Sequence, residues 1–434
     1  MITCSFLRSY MPVAIAAAML AAFPVAAQEK AEKPAAAAAA ATEPSKPIPS
    51  MQAVPTTVPG RPDVPNAEVA KQLANVAPPP FGLPPEQLPT SKLVVPKGFK
   101  VELYASGIPN ARSLRVGDKG TVFVSNRLLD KVYAIVDRNG RREVKVIASG
   151  MDRPNGLAFH KGTLYIAEGT RISKLENIED NLDNPPKPVV IYSDFMNTQS
   201  HGWKFMGIGP DGKLYVNVGA PCNICDPPAG TGQLRRINLD GSGAEPVVRG
   251  VRNSVGFDWH PVTKELWFTD NGRDWLSEDL PHDELNRVTR NGLHFGFPYC
   301  HQGDFTDREM GWGRSCDDYE KPAALLGAHT AALGMRFYTG NMFPSKYRNA
   351  IFIARHGSWN RTKKLGGDIW VVYLNRDGSV KSQEAFMTGF LQNNSYLGRP
   401  VDVHVMKDGS MLVSDDYGGA VYRVSYGGAR VASR

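Results

Sequence analysis

At 434 residues the chain is long for one ordinary core and suits an architecture in which repeated units bury their faces against neighbours. Its 42 glycines and 33 prolines suit many tight turns. A formal net charge of +7 would fit a nucleic-acid partner, but no basic run or basic helical face carries it, so nucleic acid is excluded as the expected ligand.

Residues 1–27 read as a secretory signal: Arg8 is the positive n-region, 13–25 the apolar run, and Val25-Ala26-Ala27 the small-residue cleavage site. The run is too short and too alanine-rich for a membrane span, and Cys4 stands ahead of it, out of place for lipid attachment. The mature protein is therefore expected in a bacterial periplasm or secreted, without a transmembrane segment. Residues 28–80 are rich in Ala, Pro, Glu and Lys and poor in large apolar side chains, which predicts a disordered or tethering arm. The folded domain is expected over 81–434.

Strand signals begin near Leu93, and one hairpin pattern then recurs six times. Residues 113–117 pair with 121–126 across Asp-Lys-Gly, and 156–160 with 163–168 across Lys-Gly. Residues 203–210 turn at Asp211-Gly212 into 214–219, and 256–260 return through 265–270. The last two copies are 333–340 with 349–357, and 400–406 with 410–416. Third strands are expected at 131–136, 171–176, 233–239, 368–374 and 421–426, and fourth strands at 142–148, 188–192, 245–249 and 384–388. The spacing predicts an all-β fold, a six-bladed β-propeller of four-stranded antiparallel blades. The early strand 99–105, FKVELYA, is expected to complete the blade of 400–426, because ring closure removes an exposed sheet edge.

Four cysteines remain after the signal, at 222, 225, 300 and 316, and three pairings are open. Cys222 with Cys225 and Cys300 with Cys316 are favoured, since each pair sits within one predicted loop. Asp226 stands where covalent haem attachment would need histidine, and no second close Cys or His pair supports zinc.

In an antiparallel hairpin the start of the first strand and the end of the second share one edge. The propeller therefore sends Arg112, Asn126, Arg127, Asn155, Glu168, His201, Arg252, Asn253, Asp270, Gly272, Arg355, His356, Arg399, Asp415 and Asp416 to a single face. Arginines gathered there would repel unless an anion sat among them, and their planar forks suit carboxylates. The expected ligand is an anionic, multi-carboxylate molecule, accompanied by a cation held on backbone carbonyls near Gly272.

Several segments carry a resemblance: Ser200-His201-Gly202 before GPDGKLY, Arg252-Asn253 before GFDWHP, Asp270-Asn271-Gly272, Asp283-Glu284-Leu285-Asn286 and Gly296-Phe297-Pro298. Together they resemble the soluble pyrroloquinoline quinone (PQQ) dependent glucose and sorbosone dehydrogenases, over roughly residues 97–426. FYTGNMFP and HGSWNR, within 337–361, resemble the sorbosone branch.

The resemblance implies PQQ and calcium (Ca2+) as cofactors and a sugar or aldehyde as substrate, with an electron acceptor that no motif names. It implies His201 as general base, a role that suits an imidazole, and Arg252 as the group that stabilises charge on the reduced quinone. Asn253, Arg112, Arg355, His356 and Arg399 would hold the cofactor, with His356 the rival base. Calcium would rest on the carbonyls of Gly272 and Arg273, and a second, structural calcium near Asp283 and Glu284. Trp203 and Trp359 are either cavity walls or blade packing. Trp203 stands where the glucose enzymes carry smaller residues, and Arg273 where they carry proline.

Two other classes fit the same architecture. A calcium-dependent lactonase or related hydrolase would bind metal through Glu168, Asn155, Asn253 and Asp270, leaving the arginines without a purpose. A non-catalytic propeller would bind a peptide or glycan on its face.

Overall fold

A computed structural model describes residues 81–427 continuously, together with Thr57–Val58, Arg61–Pro65 and residues 73, 76, 78 and 79. The predicted signal 1–27 and most of the predicted arm 28–80 lie outside the described residues. Within the arm, Thr57–Val58 pairs antiparallel with Arg61–Pro65. No helix among the described residues is long and apolar enough to cross a membrane.

Six four-stranded antiparallel sheets form the propeller. In chain order, blade 1 runs through Leu114–Val116, Val122–Asn126, Lys131–Arg138 and Arg141–Ala148. Blade 2 holds Gly156–His160, Thr163–Ala167, Ile172–Leu175 and Val189–Tyr192. Blade 3 holds Met206–Ile208, Leu214–Val218, Gln233–Ile237 and Glu245–Arg249. Blade 4 is built from Gly256–Trp259, Leu266–Asp270, His282–Val288 and Ala324–Ala328. Blade 5 comprises Ala332–Phe337, Ile351–Arg355, Asp368–Leu374 and Val380–Met387. Blade 6 comprises Pro400–Val405, Met411–Asp415 and Ala420–Tyr426, completed by Phe99–Ala105.

Burial explains which strands read clearly in the sequence. Every residue of Val122–Asn126, Leu214–Val218, Leu266–Asp270, Ile351–Arg355 and Met411–Asp415 is buried, because a second strand is covered on both faces by adjacent blades. Outer strands such as Val380–Met387 are largely exposed and correspondingly polar. Near the axis, first strands of several blades are tied together by charge: Arg115 and Arg336 both reach Asp402, at 3.4 and 3.7 Å, and both guanidinium groups lie over the Phe205 ring.

Blade 4 departs from the expectation. Its third strand, HDELNRV, was not among the predicted strands, and its fourth follows an insertion over 289–323. That insertion carries the small pair Cys300–His301 and Phe305–Thr306 and is closed by the Cys300–Cys316 disulfide. The other disulfide joins Cys222 to Cys225, so both favoured pairings form.

Ring closure is the expected one. Phe99 pairs with Tyr426, Val101 with Val424 and Leu103 with Tyr422. The Phe99 ring also meets Phe343, Phe386 and Tyr347 edge-on, with centroids 4.8, 5.0 and 5.4 Å away, so the closing strand is anchored into blade 5 as well. Phe99→Ala should cost roughly 3 kcal/mol, the usual scale for truncating a well-packed phenylalanine. Thermal or denaturant unfolding reads this directly, and an unchanged midpoint would show that closure does not depend on the ring.

Candidate active site

The propeller face chosen by the hairpin geometry holds a cavity of about 400 Å³. What aims the side chains into it is a repeated tie between the two inner strands. In blade 4, the Asp270 carboxylate at the end of the second strand accepts the backbone N–H of Arg252 (2.8 Å) and of Asn253 (2.6 Å). In blade 6, Asp415 accepts the N–H of Arg399 at 2.8 Å, together with those of Tyr417 and Gly418. Each tie fixes the backbone from which a cavity residue projects.

Of the predicted site residues, Arg112, His201, Arg252, Asn253, Gly272, Asp283, His356 and Arg399 line this cavity. Arg127, Trp203, Trp359 and His329 line it as well, so both tryptophans are walls. Three predicted residues are elsewhere. Glu284 lines a smaller adjoining recess with Arg252, Asp270 and Gly272. Arg273 is fully buried and ion-paired to Asp307 at 2.7 Å and Glu309 at 3.2 Å, so its side chain is consumed by the blade 4 insertion.

Arg355 is the clearest correction to the expected arginine ring. It donates to both Asp368 oxygens, at 2.7 and 2.5 Å, and its guanidinium lies 3.7 Å over the Trp370 ring. The next residue, His356, takes the cavity position. Its Nε2 meets Asp416 at 2.8 Å, and burial, then Arg399, lowers its pKa to about 4.

His201 sits at φ 50°, an uncommon conformation outside glycine, and its Cβ and backbone pack where Gly219 leaves room: a Cβ on residue 219 would approach the His201 Cβ to 2.5 Å. Nδ1 lies 2.7 Å from the Ala220 carbonyl, an acceptor, so Nδ1 carries the proton and donates it. Nε2 has no hydrogen-bond partner among the described residues. Burial, then the nearby Arg252, lowers the pKa to about 3, which keeps the ring neutral with Nε2 as a proton acceptor.

Arg252 is held more completely than the sequence suggested. Nε donates to the Asn223 carbonyl and Nη2 to the Asn223 side chain and to Asp274, at 2.9, 2.8 and 2.9 Å. Nη1 donates to the carbonyls of Asn271 (3.1 Å) and Gly272 (2.7 Å). Asn223 lies inside the Cys222–Cys225 loop, so that disulfide closes the turn on which the arginine is braced. Neither Asn223 nor Asp274 was among the predicted site residues.

The protein itself answers part of the arginine repulsion. Arg112 is paired with Asp416 at 2.9 Å and bonded to Asn155, and Arg399 donates to the carbonyls of Gly357, His356 and Val76. Polar capacity nevertheless remains. Buried atoms without a partner include Asn253 Oδ1, Asn271 Oδ1, His329 Nδ1, Arg127 Nε and both amide atoms of Asn360, and all six belong to cavity residues. A polar ligand carrying acceptors and donors would satisfy them. Asn360 was missed at the sequence level, although it lies in the quoted HGSWNR segment.

The hydrolase ligand set is not assembled. Glu168 is held by Arg171, Ser173 and the Asp152 N–H, Asn155 by Arg112 and Lys204, and neither lines the cavity. Among the described residues no cluster of three or more His, Cys, Asp or Glu stands ready for a metal ion.

A family described as glucose / sorbosone dehydrogenase matches residues 167–423, more than half of the chain and the part that contributes most of the cavity. The chain belongs to that family. An uncharacterized protein of Borreliella burgdorferi is 35% identical over 353 residues, covering 78% of this chain and 92% of its own. The holo PQQ domain of pyranose dehydrogenase from Coprinopsis cinerea superposes with a TM-score of 0.67 at 19% identity, covering 80% of this chain and 98% of that one. A calcium structure of a Trichoderma reesei enzyme of carbohydrate-active family AA12 gives 0.67 at 19% identity, covering 77% and 97%. These likenesses place the fold among such enzymes, and membership of the glucose / sorbosone dehydrogenase family supports a sugar oxidoreductase.

The recess beside this family member's cavity carries a pH signature. Burial pushes the Glu284 carboxyl up to about 8, and Asp270 up to about 7. The folded protein therefore keeps protons that unfolded carboxylates release near their ordinary values of about 4, and stability falls as pH rises from about 4 towards 8. Glu284 Oε2 faces the Asn286 amide at 3.0 Å, and Asn286 Oδ1 has no partner, so a reversed amide would accept from a glutamine. In chelator, Glu284→Gln should flatten the decline of the melting temperature between about pH 5 and 8; a slope equal to wild type would place the proton elsewhere.

Proposed function

We propose that the chain is a PQQ-dependent dehydrogenase that oxidises a sugar, of the aldose or sorbosone kind, or an aldehyde. The observation that carries this reading is one cavity in which a neutral His201 with a free Nε2 stands beside the anchored Arg252 cation, among buried polar atoms that lack partners. Two further findings support it: the family match and the fold shared with a PQQ-holding domain.

The residues present fit the cofactor. Arg112, Arg399 and His356 would meet its carboxylates, and the orphaned Asn253 and Asn360 amides its remaining oxygens and nitrogens. When bound, PQQ supplies the acceptor for the two electrons and hydrogen leaving the substrate carbon. His201 Nε2 takes the proton of the substrate hydroxyl, or of the hydrated aldehyde, as that carbon is oxidised. The Ala220 carbonyl holds the imidazole in the tautomer this requires. Arg252, fixed by Asn223 and Asp274, presents positive charge where negative charge accumulates. Trp203 and Trp359 wall the site.

Calcium fits the donor chemistry. The Gly272 and Arg273 carbonyls, with the unpartnered Asn271 Oδ1 close by, are oxygen ligands of the kind a hard cation takes. Arg252 would then yield its bond to Gly272. Asp283 and Glu284, both raised in pKa by burial, are the groups a second cation would return to their charged forms. Export to the periplasm or beyond is part of the same proposal, resting on the leader-like sequence and two disulfides.

The test is reconstitution: apo-protein, PQQ and calcium, with dye reduction measured against aldoses, sorbosone and simple alcohols. His201→Ala should still perturb the quinone spectrum on binding yet lose about 100- to 10,000-fold in turnover. Wild-type kcat/KM should hold from pH 8 down to about pH 5, because protonation of the base begins only below that. Absence of any spectral change with PQQ, or lactone hydrolysis in its place, would sink the proposal.

A further inference from the structure

The cations of the cavity are not equally engaged. Arg112 has Asp416, Arg252 has Asp274, and Arg399 has three backbone carbonyls. Arg127 makes neither an ion pair nor a hydrogen bond among the described residues, and its Nε is buried without a partner. Its guanidinium lies over the Trp203 ring, 4.4 Å from the centroid, and Trp203 meets the His201 ring edge-on with centroids 6.4 Å apart. One indole therefore separates an unused cation from the proton acceptor.

The placement is built rather than incidental. Asn126 Oδ1 accepts the N–H groups of Leu128 and Leu129, at 3.0 and 2.8 Å, and pins the loop on which Arg127 stands. Arg112, Arg399 and Arg153 oppose its charge and Asp416 favours it; burial, then Arg112, brings its pKa down to about 10. A guanidinium held among like charges is costly unless an anion joins it. Arg112, Arg252 and Arg399 are almost completely buried, whereas Arg127 stays partly exposed, as do Trp203 and His201 beside it. Standing one indole away from His201, Arg127 is within the part of the cavity where the substrate hydroxyl must come, so an anionic group on the substrate can meet it there.

We infer that Arg127, stacked on Trp203, is a specificity-determining subsite for an anionic substituent of the sugar, a carboxylate or a phosphate, so that acidic sugars are preferred over neutral ones. The inference rests on reading the cavity as a sugar site. A bidentate charge-assisted contact of this kind is worth roughly 10- to 100-fold in affinity.

The experiment compares glucuronate, glucose 6-phosphate and glucose on wild type, Arg127→Gln and Arg127→Lys, by kcat/KM in PQQ-loaded protein and by calorimetric binding with and without PQQ. Preference for one or both anionic sugars over glucose should fall about tenfold or more in Arg127→Gln, mainly through KM, with partial recovery in Arg127→Lys. Which anionic sugar leads tells carboxylate from phosphate. Anionic and neutral sugars handled alike by wild type would overturn the inference, as would loss of PQQ affinity in Arg127→Gln without a change in preference. Binding of anionic sugars that depends on Arg127, in a protein that oxidises no sugar, would uphold the subsite while rejecting the dehydrogenase reading.

Discussion

Two buried carboxylates govern the shape of the site. Asp270 and Asp415 each end a second strand and each accept backbone N–H groups from the residues that lead into the first strand of the same blade. These bonds convert the hairpin's geometric adjacency into a fixed direction for Arg252, Asn253 and Arg399. The arrangement carries a penalty, since burial pushes both carboxyls up to about 7, and it persists because the donors are backbone groups that would otherwise lack partners. A surface loop of the same composition would hold none of its side chains in register.

On that frame, charge is distributed unevenly and usefully. Arg112 is neutralised by Asp416, whose other carboxylate oxygen meets His356, and Arg252 is braced on five acceptors. Such groups lose little freedom when a ligand binds, so their charge is already oriented. His201 is the complementary case: a ring kept neutral by burial and by a neighbouring cation, with one nitrogen tethered and the other open. The base and the electrostatic group thus precede different blades, His201 tethered to the Ala220 carbonyl and Arg252 braced on Asn223 and Asp274.

How much of this was legible from sequence follows from burial and alternation. Second strands covered on both faces read as apolar runs, which is why the six hairpins and the closing strand could be placed. The third strand of blade 4 escaped because HDELNRV reads as a polar loop; its charged side chains are buried only because Gly272, Thr330, Gln302 and Asn286 supply donors that no local pattern reveals. Arg355 was assigned to the cavity from its place at a strand end, yet neighbouring residues on a strand face opposite ways, and His356 holds the inward position. The Cys222–Cys225 pairing was foreseeable, while its purpose as a brace for Arg252 depended on a contact across 29 positions of chain.

The closing strand has a consequence for how the molecule comes into being. Phe99–Ala105 lies against Ala420–Tyr426, so the sixth sheet joins segments separated by almost the whole domain. Blades 1 to 5 are each contiguous in the chain and can condense as they are made, whereas the ring stays open until the last of its strands has been synthesised. Until then the edge of Phe99–Ala105 waits unpaired, and a nascent chain carrying it is vulnerable to strand capture by a second copy.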